Sequence, residues 1–177
     1  RMIGIVLITH GHLGDSLRET VEHVIGPQTQ LLSVPVERED EIAQLRPALL
    51  DAVHAVDTGE GVLLLTDIFG STPSNLALSV REPDHVEVIA GVNMPMLVKL
   101  AKSREHRDLV SCIALATSAG RKYIAAASEL PQSCLQGGKC CEETIAEALA
   151  PHPSSLLGSD SHGGINANVI PLRHAVS

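Results

Sequence analysis

Two short runs limit the possible folds more than anything else in the chain. In Ile3-Gly4-Ile5-Val6-Leu7-Ile8-Thr9 every residue but Gly4 is apolar or β-branched, and Val62-Leu63-Leu64-Leu65 is apolar up to its closing Thr66. Neither run alternates with polar residues, so neither has a solvent face. A strand of that kind has to be covered on both sides, as in the middle of a parallel sheet between two helix layers.

The segments between these runs supply the cover. Gly14 or Asp15 can open a helix in which Leu17, Val21, Val24 and Ile25 fall at helical spacing, and Gly26-Pro27 ends it. Leu31–Val36 reads as a short strand; its Pro35 cannot donate to a ladder, which points to an edge or a strand end. After Glu39-Asp40 a second helix carries Ile42, Leu45, Leu49, Ala52, Val53 and Val56 on one face, with Pro47 inside it as a source of a kink. Pro73 fits a first helical turn with Thr72 as N-cap, in a helix to about Val80. Glu87–Ala90 is a fourth strand, and Pro95 opens a helix through Lys102. Residues 109–128 are Ala-rich and helical, interrupted at Gly120.

The order β-α-β-α-β-α-β-α-α predicts an α/β fold over residues 1–130: a doubly wound, mostly parallel four-stranded sheet with helices on both faces. Past Pro131 the composition changes to Gly, Pro and Ser, and residues 131–177 read as a weakly ordered extension or linker. Within it only Glu142–Leu149 reads as helical, and His152, His162 and His174 read as solvated.

Composition excludes several functions. A formal net charge of −8 argues against nucleic acid, whose binding rests on basic residues, and one Tyr, one Phe and no Trp leave no base-stacking platform. The same shortage of rings argues against a flavodoxin-like site for flavin, leaving a small anion as what such an edge could hold. No signal peptide is visible and the first apolar run is too short to cross a bilayer, so the expected location is cytoplasmic. Cys112, Cys134, Cys140 and Cys141 lack a paired C-x-x-C unit and read as reduced thiols; a tail metal site using the last three with His152 or His162 is the alternative.

Two strands end in polar residues that a buried strand does not need, His10 and Asp67. In a doubly wound sheet the first and third strands are commonly neighbours across the point where the winding reverses, and ligands bind at that carboxyl edge. A carboxylate beside an imidazole accepts the Nδ1–H bond, fixes the tautomer and leaves Nε2 free to attack. The segment Gly70-Ser71-Thr72-Pro73 places backbone N–H groups and two hydroxyls at a helix start, where anions are favoured. Gly11 leaves room for a phosphate to approach, and His12 falls on the rim. Each feature alone has an ordinary structural reading as a cap or turn residue. Together at one edge they point to His10 as a nucleophile that carries a phosphoryl group.

Three stretches also carry a family likeness. Ile5-Val6-Leu7-Ile8-Thr9-His10-Gly11, Leu65-Thr66-Asp67-Ile68-Phe69-Gly70-Ser71-Thr72-Pro73-Ser74-Asn75 and Val86–Leu97, which contains Gly91-Val92-Asn93-Met94-Pro95, occur in the right order over about residues 2–129. They resemble the motifs of the mannose-type IIA domain of the bacterial phosphoenolpyruvate:sugar phosphotransferase system. The resemblance implies a phosphocarrier with His10 as the active histidine and Asp67 as its carboxylate partner. Ser71 and Thr72 lie where the family's loop closes over the phosphoryl group. It further implies HPr as donor, a IIB protein as acceptor, no bound metal or cofactor, and membrane contact only through a transporter complex. A homodimer is also implied, with a fifth, antiparallel strand that can cross between subunits. No IIB domain is recognisable in the sequence, so the expected acceptor is a separate protein, or is absent. His12 stands where sugar-transporting relatives often have an aromatic residue. Two alternatives share the fold: a regulatory IIA protein without a transport role, and a phosphoryl-donor subunit for dihydroxyacetone kinase.

Overall fold

The computed structural model describes residues 1–135. Four strands form one sheet: β1 (Gly4–His10), β2 (Leu31–Val36), β3 (Val62–Thr66) and β4 (Val86–Ala90). Their order is β2-β1-β3-β4 and every pairing is parallel. The two apolar runs therefore take the two central places and Pro35 lies on an edge strand, paired with Thr9. The winding reverses between β1 and β3.

Alternate residues of the central strands face opposite helix layers. Ile5, Leu7, Leu63 and Leu65 pack with residues of α1 (Leu13–Ile25), α4 (Met94–Ser103) and α5 (Leu109–Lys122). Val6, Ile8, Val62 and Leu64 pack with α2 (Ile42–Val56) and α3 (Thr72–Leu78). That is the α/β doubly wound architecture, with the sheet wholly parallel.

Two glycines set how closely helices approach the sheet. A Cβ at Gly4 would lie 2.6 Å from the Val56 carbonyl at the end of α2, and one at Gly14 would lie 2.6 Å from Ser33 Oγ and 3.0 Å from Thr9 Oγ1.

Several boundaries differ from the sequence reading. The helix after β4 begins at Met94, capped by Asn93, whose side chain accepts from the Met96 N–H. The helix expected over 109–128 ends at Lys122, and Gly120 does not interrupt it. Instead Gly120 is buried where α5 crosses α4: its carbonyl accepts from Asn93 Nδ2 at 2.9 Å, and a Cβ there would lie 3.0 Å from Met96 Cε. A close helix crossing, not a break, explains that glycine. α3 ends at Leu78, two residues early, and starts at Thr72, with Ser71 and not Thr72 as N-cap.

Past α5 come a short 3-10 turn at Ala127–Glu129 and a four-residue helix, α6 (Gln132–Leu135). No fifth strand occurs among the described residues; the sole antiparallel contact is an isolated bridge between Glu82 and Val86. The expectations for 142–149, for the tail histidines and for Cys140 and Cys141 lie outside the described residues. Cys112 is a free, buried thiol. Cys134 is disulfide-bonded, so the expectation of reduced thiols fails there.

Candidate active site

His10 is the last residue of β1, and Asp67 is the first residue past β3, its neighbour in the sheet. The parallel register, Ile8 opposite Thr66, brings them to the same carboxyl edge. There one carboxylate oxygen holds the histidine twice. Asp67 Oδ2 accepts from the His10 backbone N–H at 2.9 Å and lies 2.8 Å from His10 Nδ1. Asp67 Oδ1 accepts from the Ile68 N–H at 2.8 Å. The imidazole is thereby fixed in position as well as in orientation.

Burial works against the charged form of Asp67, but the His10 N–H, the imidazole and the Ile68 N–H outweigh it and hold the carboxyl below its ordinary value. An ionised carboxylate only accepts, so Nδ1 carries the proton and donates it to Oδ2. In the neutral ring the lone pair then lies on Nε2, which has no hydrogen-bond partner among the described residues. The His10 side chain is 55% exposed and that of Asp67 15%, so the orienting group is sheltered while the nucleophile reaches solvent.

The structure assigns the other predicted residues less uniform parts. Gly11 has φ +49° and open space where a Cβ would stand, as the reading required, but its N–H is used by the Val36 carbonyl at 2.9 Å. Gly70, φ +83°, turns the exposed loop after Asp67. Ser71 is turned inward: its Oγ–H donates to the Ile68 carbonyl at 2.8 Å and its N–H to Ser74 Oγ at 3.0 Å. Both of its donors are thus spent inside the loop in this conformation. Thr72 is exposed, and its hydroxyl makes no hydrogen bond among the described residues.

His12 lies on the rim, as expected, 78% exposed by side chain. Its Nδ1 is 2.9 Å from Asp15 Oδ2 and its Nε2 is 4.0 Å from Glu37 Oε1. The hydrogen bond to Asp15, with the charges of Asp15 and Glu37, raises its pKa.

Three supporting residues escaped the sequence reading. Thr9 is fully buried, and its Oγ1 accepts from the Gly14 N–H at 2.7 Å, tying the start of α1 to the strand that presents His10. Ser74 Oγ also donates to the Ser71 carbonyl at 2.9 Å and closes the turn that opens α3. Gly91, in the third motif, donates its N–H to the Asp67 carbonyl at 3.1 Å and so braces the carboxylate from β4. The one available signal was a polar residue closing an apolar run directly before His10, which Thr9 satisfies.

Among the described residues no three His, Cys, Asp or Glu side chains converge on a common point, and no helix is long and apolar enough to cross a membrane.

The chain is similar to several known proteins. Residues 4–117 match the family described as the PTS system fructose IIA component, PTS being the phosphotransferase system. The chain is 32% identical over 165 residues to the mannose-specific EIIAB component of Escherichia coli strain K12, covering 90% of this chain and 49% of that protein. It thus spans about half the length of that relative. It is 33% identical over 109 residues to the fructose-specific EIIA component of Bacillus subtilis strain 168, covering 61% of this chain and 75% of that one. The crystal structure of the phosphotransferase system component EIIA from Streptococcus agalactiae superposes with a TM-score of 0.64 at 26% identity, over 72% of this chain and 98% of that one. The chain belongs to the mannose/fructose IIA family of the phosphotransferase system, whose components transfer phosphoryl groups.

Proposed function

We propose that this chain is a phosphocarrier in which His10 Nε2 takes a phosphoryl group from the phosphohistidine of HPr and gives it to a IIB acceptor. The observation that carries this reading is the double hold of Asp67 Oδ2 on His10.

In the proposed step the Nε2 lone pair attacks phosphorus in line with the donor's P–N bond. That bond breaks, its electron pair returns to the donor imidazole, and the donor ring takes up a proton. As the new N–P bond forms, positive charge develops on the His10 ring. The Nδ1–H bond to an ionised carboxylate, already in place, stabilises it without reorganisation. Transfer to the acceptor is the same step in reverse. Such chemistry needs positioning and charge stabilisation more than covalent machinery. For the transferred oxygens the reading takes the Gly70 and Thr72 backbone and the Thr72 hydroxyl, with Ser71 joining once its Oγ–H leaves the Ile68 carbonyl. Gly11 keeps the approach open.

The test is incubation with phosphoenolpyruvate, enzyme I and HPr, followed by mapping of acid-labile phosphate by mass spectrometry. Phosphate is expected on His10, absent in His10→Ala, and acquired about 100-fold more slowly in Asp67→Asn. Wild-type protein left unphosphorylated by charged HPr would overturn the reading. Adding IIB proteins or a dihydroxyacetone kinase nucleotide subunit to the phosphorylated chain then tests the acceptor. Loss of label to IIB supports the assignment; transfer to the kinase subunit alone, or retention of the label against every acceptor, replaces IIB with one of the two alternatives.

A further inference from the structure

A groove of about 670 Å³ runs between the end of α1, the outer face of α4 and the end of α5, and none of its lining residues belongs to the His10 site. Its floor is apolar, built from Val24, Met94, Val98 and the chain's single tyrosine, Tyr123. Met94 and Val98 pack from above on the main core, while Val24 is 59% exposed. Lys99 and Lys102 line the same groove, and Lys99 and Lys122 line a smaller hollow beside it. The chain has only four lysines and a net charge of −8, so three of its four ammonium groups are gathered on one apolar patch of an otherwise acidic protein.

Such a surface fits an acidic amphipathic segment: apolar side chains for the floor and carboxylates for the rim. The chain itself carries one. Glu142-Glu143-Thr144-Ile145-Ala146-Glu147-Ala148-Leu149 has three carboxylates and no basic residue. Ile145, Ala148 and Leu149 stand at i, i+3 and i+4, the spacing that places them on one helical face. From Ala150 to Ser177 there is one carboxylate, Asp160, and one guanidinium, Arg173, so no other part of the tail combines these features. The tether is short. Tyr123 lines the groove, the described chain ends at Leu135, and Glu142 follows seven residues later, a reach of up to about 25 Å. Covalent attachment makes the encounter intramolecular and raises its effective concentration to about the millimolar range.

We propose that residues 142–149 dock into the lysine-rimmed groove of their own molecule, with Ile145 and Leu149 on the floor and the glutamates at Lys99 and Lys102. This does not depend on the chemistry assigned to His10.

Zero-length carbodiimide coupling of the full chain tests it. The reagent activates a carboxylate, and a lysine amine that touches it displaces the activating group to leave an amide. An equal mixture of ¹⁴N- and ¹⁵N-labelled protein separates coupling within a molecule from coupling between molecules. The expected products are amides from Lys99 or Lys102 to Glu142, Glu143 or Glu147, in peptides of a single isotope. Ile145→Asp/Leu149→Asp keeps every glutamate and removes the apolar anchors, and the coupling yield should fall about tenfold. An unchanged far-UV spectrum would confirm that the domain still folds. Three results would overturn the proposal: a yield that the double substitution leaves unchanged, which is random collision of a tethered chain; mixed-isotope peptides making up about half of these amides, the statistical share for coupling between molecules, which makes the occupant a second copy; or no amides at these lysines while others form.

Discussion

Asp67 Oδ2 receives two bonds from one residue, a backbone N–H and a ring nitrogen, and that pairing distinguishes His10 from the other histidines among the described residues. Besides His12 and Asp15, a further imidazole–carboxylate pair occurs at the opposite edge of the sheet: His85 Nε2 lies 2.7 Å from Asp57 Oδ2, and Asp57 Oδ1 accepts from the Gly59 N–H at 2.8 Å. The bond lengths are nearly the same, so an imidazole beside a carboxylate is not enough to mark a site. His10 stands at the carboxyl edge where the winding reverses, and its Nε2 is the nitrogen left over; His85 spends Nε2 on its carboxylate. His12 gives a residue-scale prediction. Asp15 raises its pKa, so its bond to Asp15 contributes stability below the unfolded value near about 6.5 and loses it as pH rises through the folded value. In an NMR titration the His12 ring should titrate above about 6.5 and return toward that value in Asp15→Asn. An unchanged midpoint would show that the 2.9 Å contact does not persist in solution.

α1 is seated by the strand it follows. Its N-cap residue, His12, gives no side-chain cap hydrogen bond; Thr9 on β1 instead satisfies the Gly14 N–H in the first turn. Gly14 is there because any side chain would strike Ser33 and Thr9. Two variants separate these contributions. Thr9→Val keeps the shape and removes the acceptor, leaving a buried N–H unpaired at a cost of about 1–3 kcal/mol. Gly14→Ala overfills the contact and should also cost about 1–3 kcal/mol. Urea denaturation reads both, and a loss below 0.5 kcal/mol in either would mean that α1 can shift without penalty. α3 is anchored differently, through Ser74, whose hydroxyl bonds the N–H and the carbonyl of Ser71.

Over the whole molecule, two sets of polar contacts hold the sheet's two edges. At the edge away from His10, Arg104 is 1% exposed. It donates to the carbonyls of Ile3, Thr29 and Gln30, which joins the start of β1 to the turn before β2. Arg104→Met would strand these acceptors and should cost about 3 kcal/mol in urea, while phosphorylation of the folded fraction stays at the wild-type rate. Slower phosphorylation of that fraction would mean that the two edges are coupled. Acid acts on the molecule through its carboxylates. Asp57 and Asp67 are held below their ordinary values, burial opposing and hydrogen bonds prevailing; Glu87 is held down by its hydrogen bonds from Arg81. A depressed folded pKa gives stability that is fully present above the unfolded value, near about 4, and lost as pH falls through the folded value. The urea midpoint should therefore fall below about pH 4, and less steeply in Asp57→Asn/Asp67→Asn. Equal slopes in variant and wild type would assign the acid loss to other carboxylates.

The apolar runs at 3–9 and 62–66 were enough to determine a parallel sheet covered on both faces, because a strand with no polar face has no other stable placement. The polar residues that end them were enough to nominate His10 and Asp67. Pro35 placed its strand on an edge because it lacks an N–H to give. Helix ends were less legible: whether 109–128 stops at Lys122 or runs on depends on what packs against it, and Gly120 has the same identity in a break as in a close crossing. The tertiary structure alone decided which atoms meet. That Asp67 takes both the N–H and the ring of His10, that Ser71 faces inward, and that Thr9 holds α1 follow from the register of β1 on β3 and the height of each helix above the sheet. Those distances are set by side chains far apart in the chain, and local sequence cannot encode them.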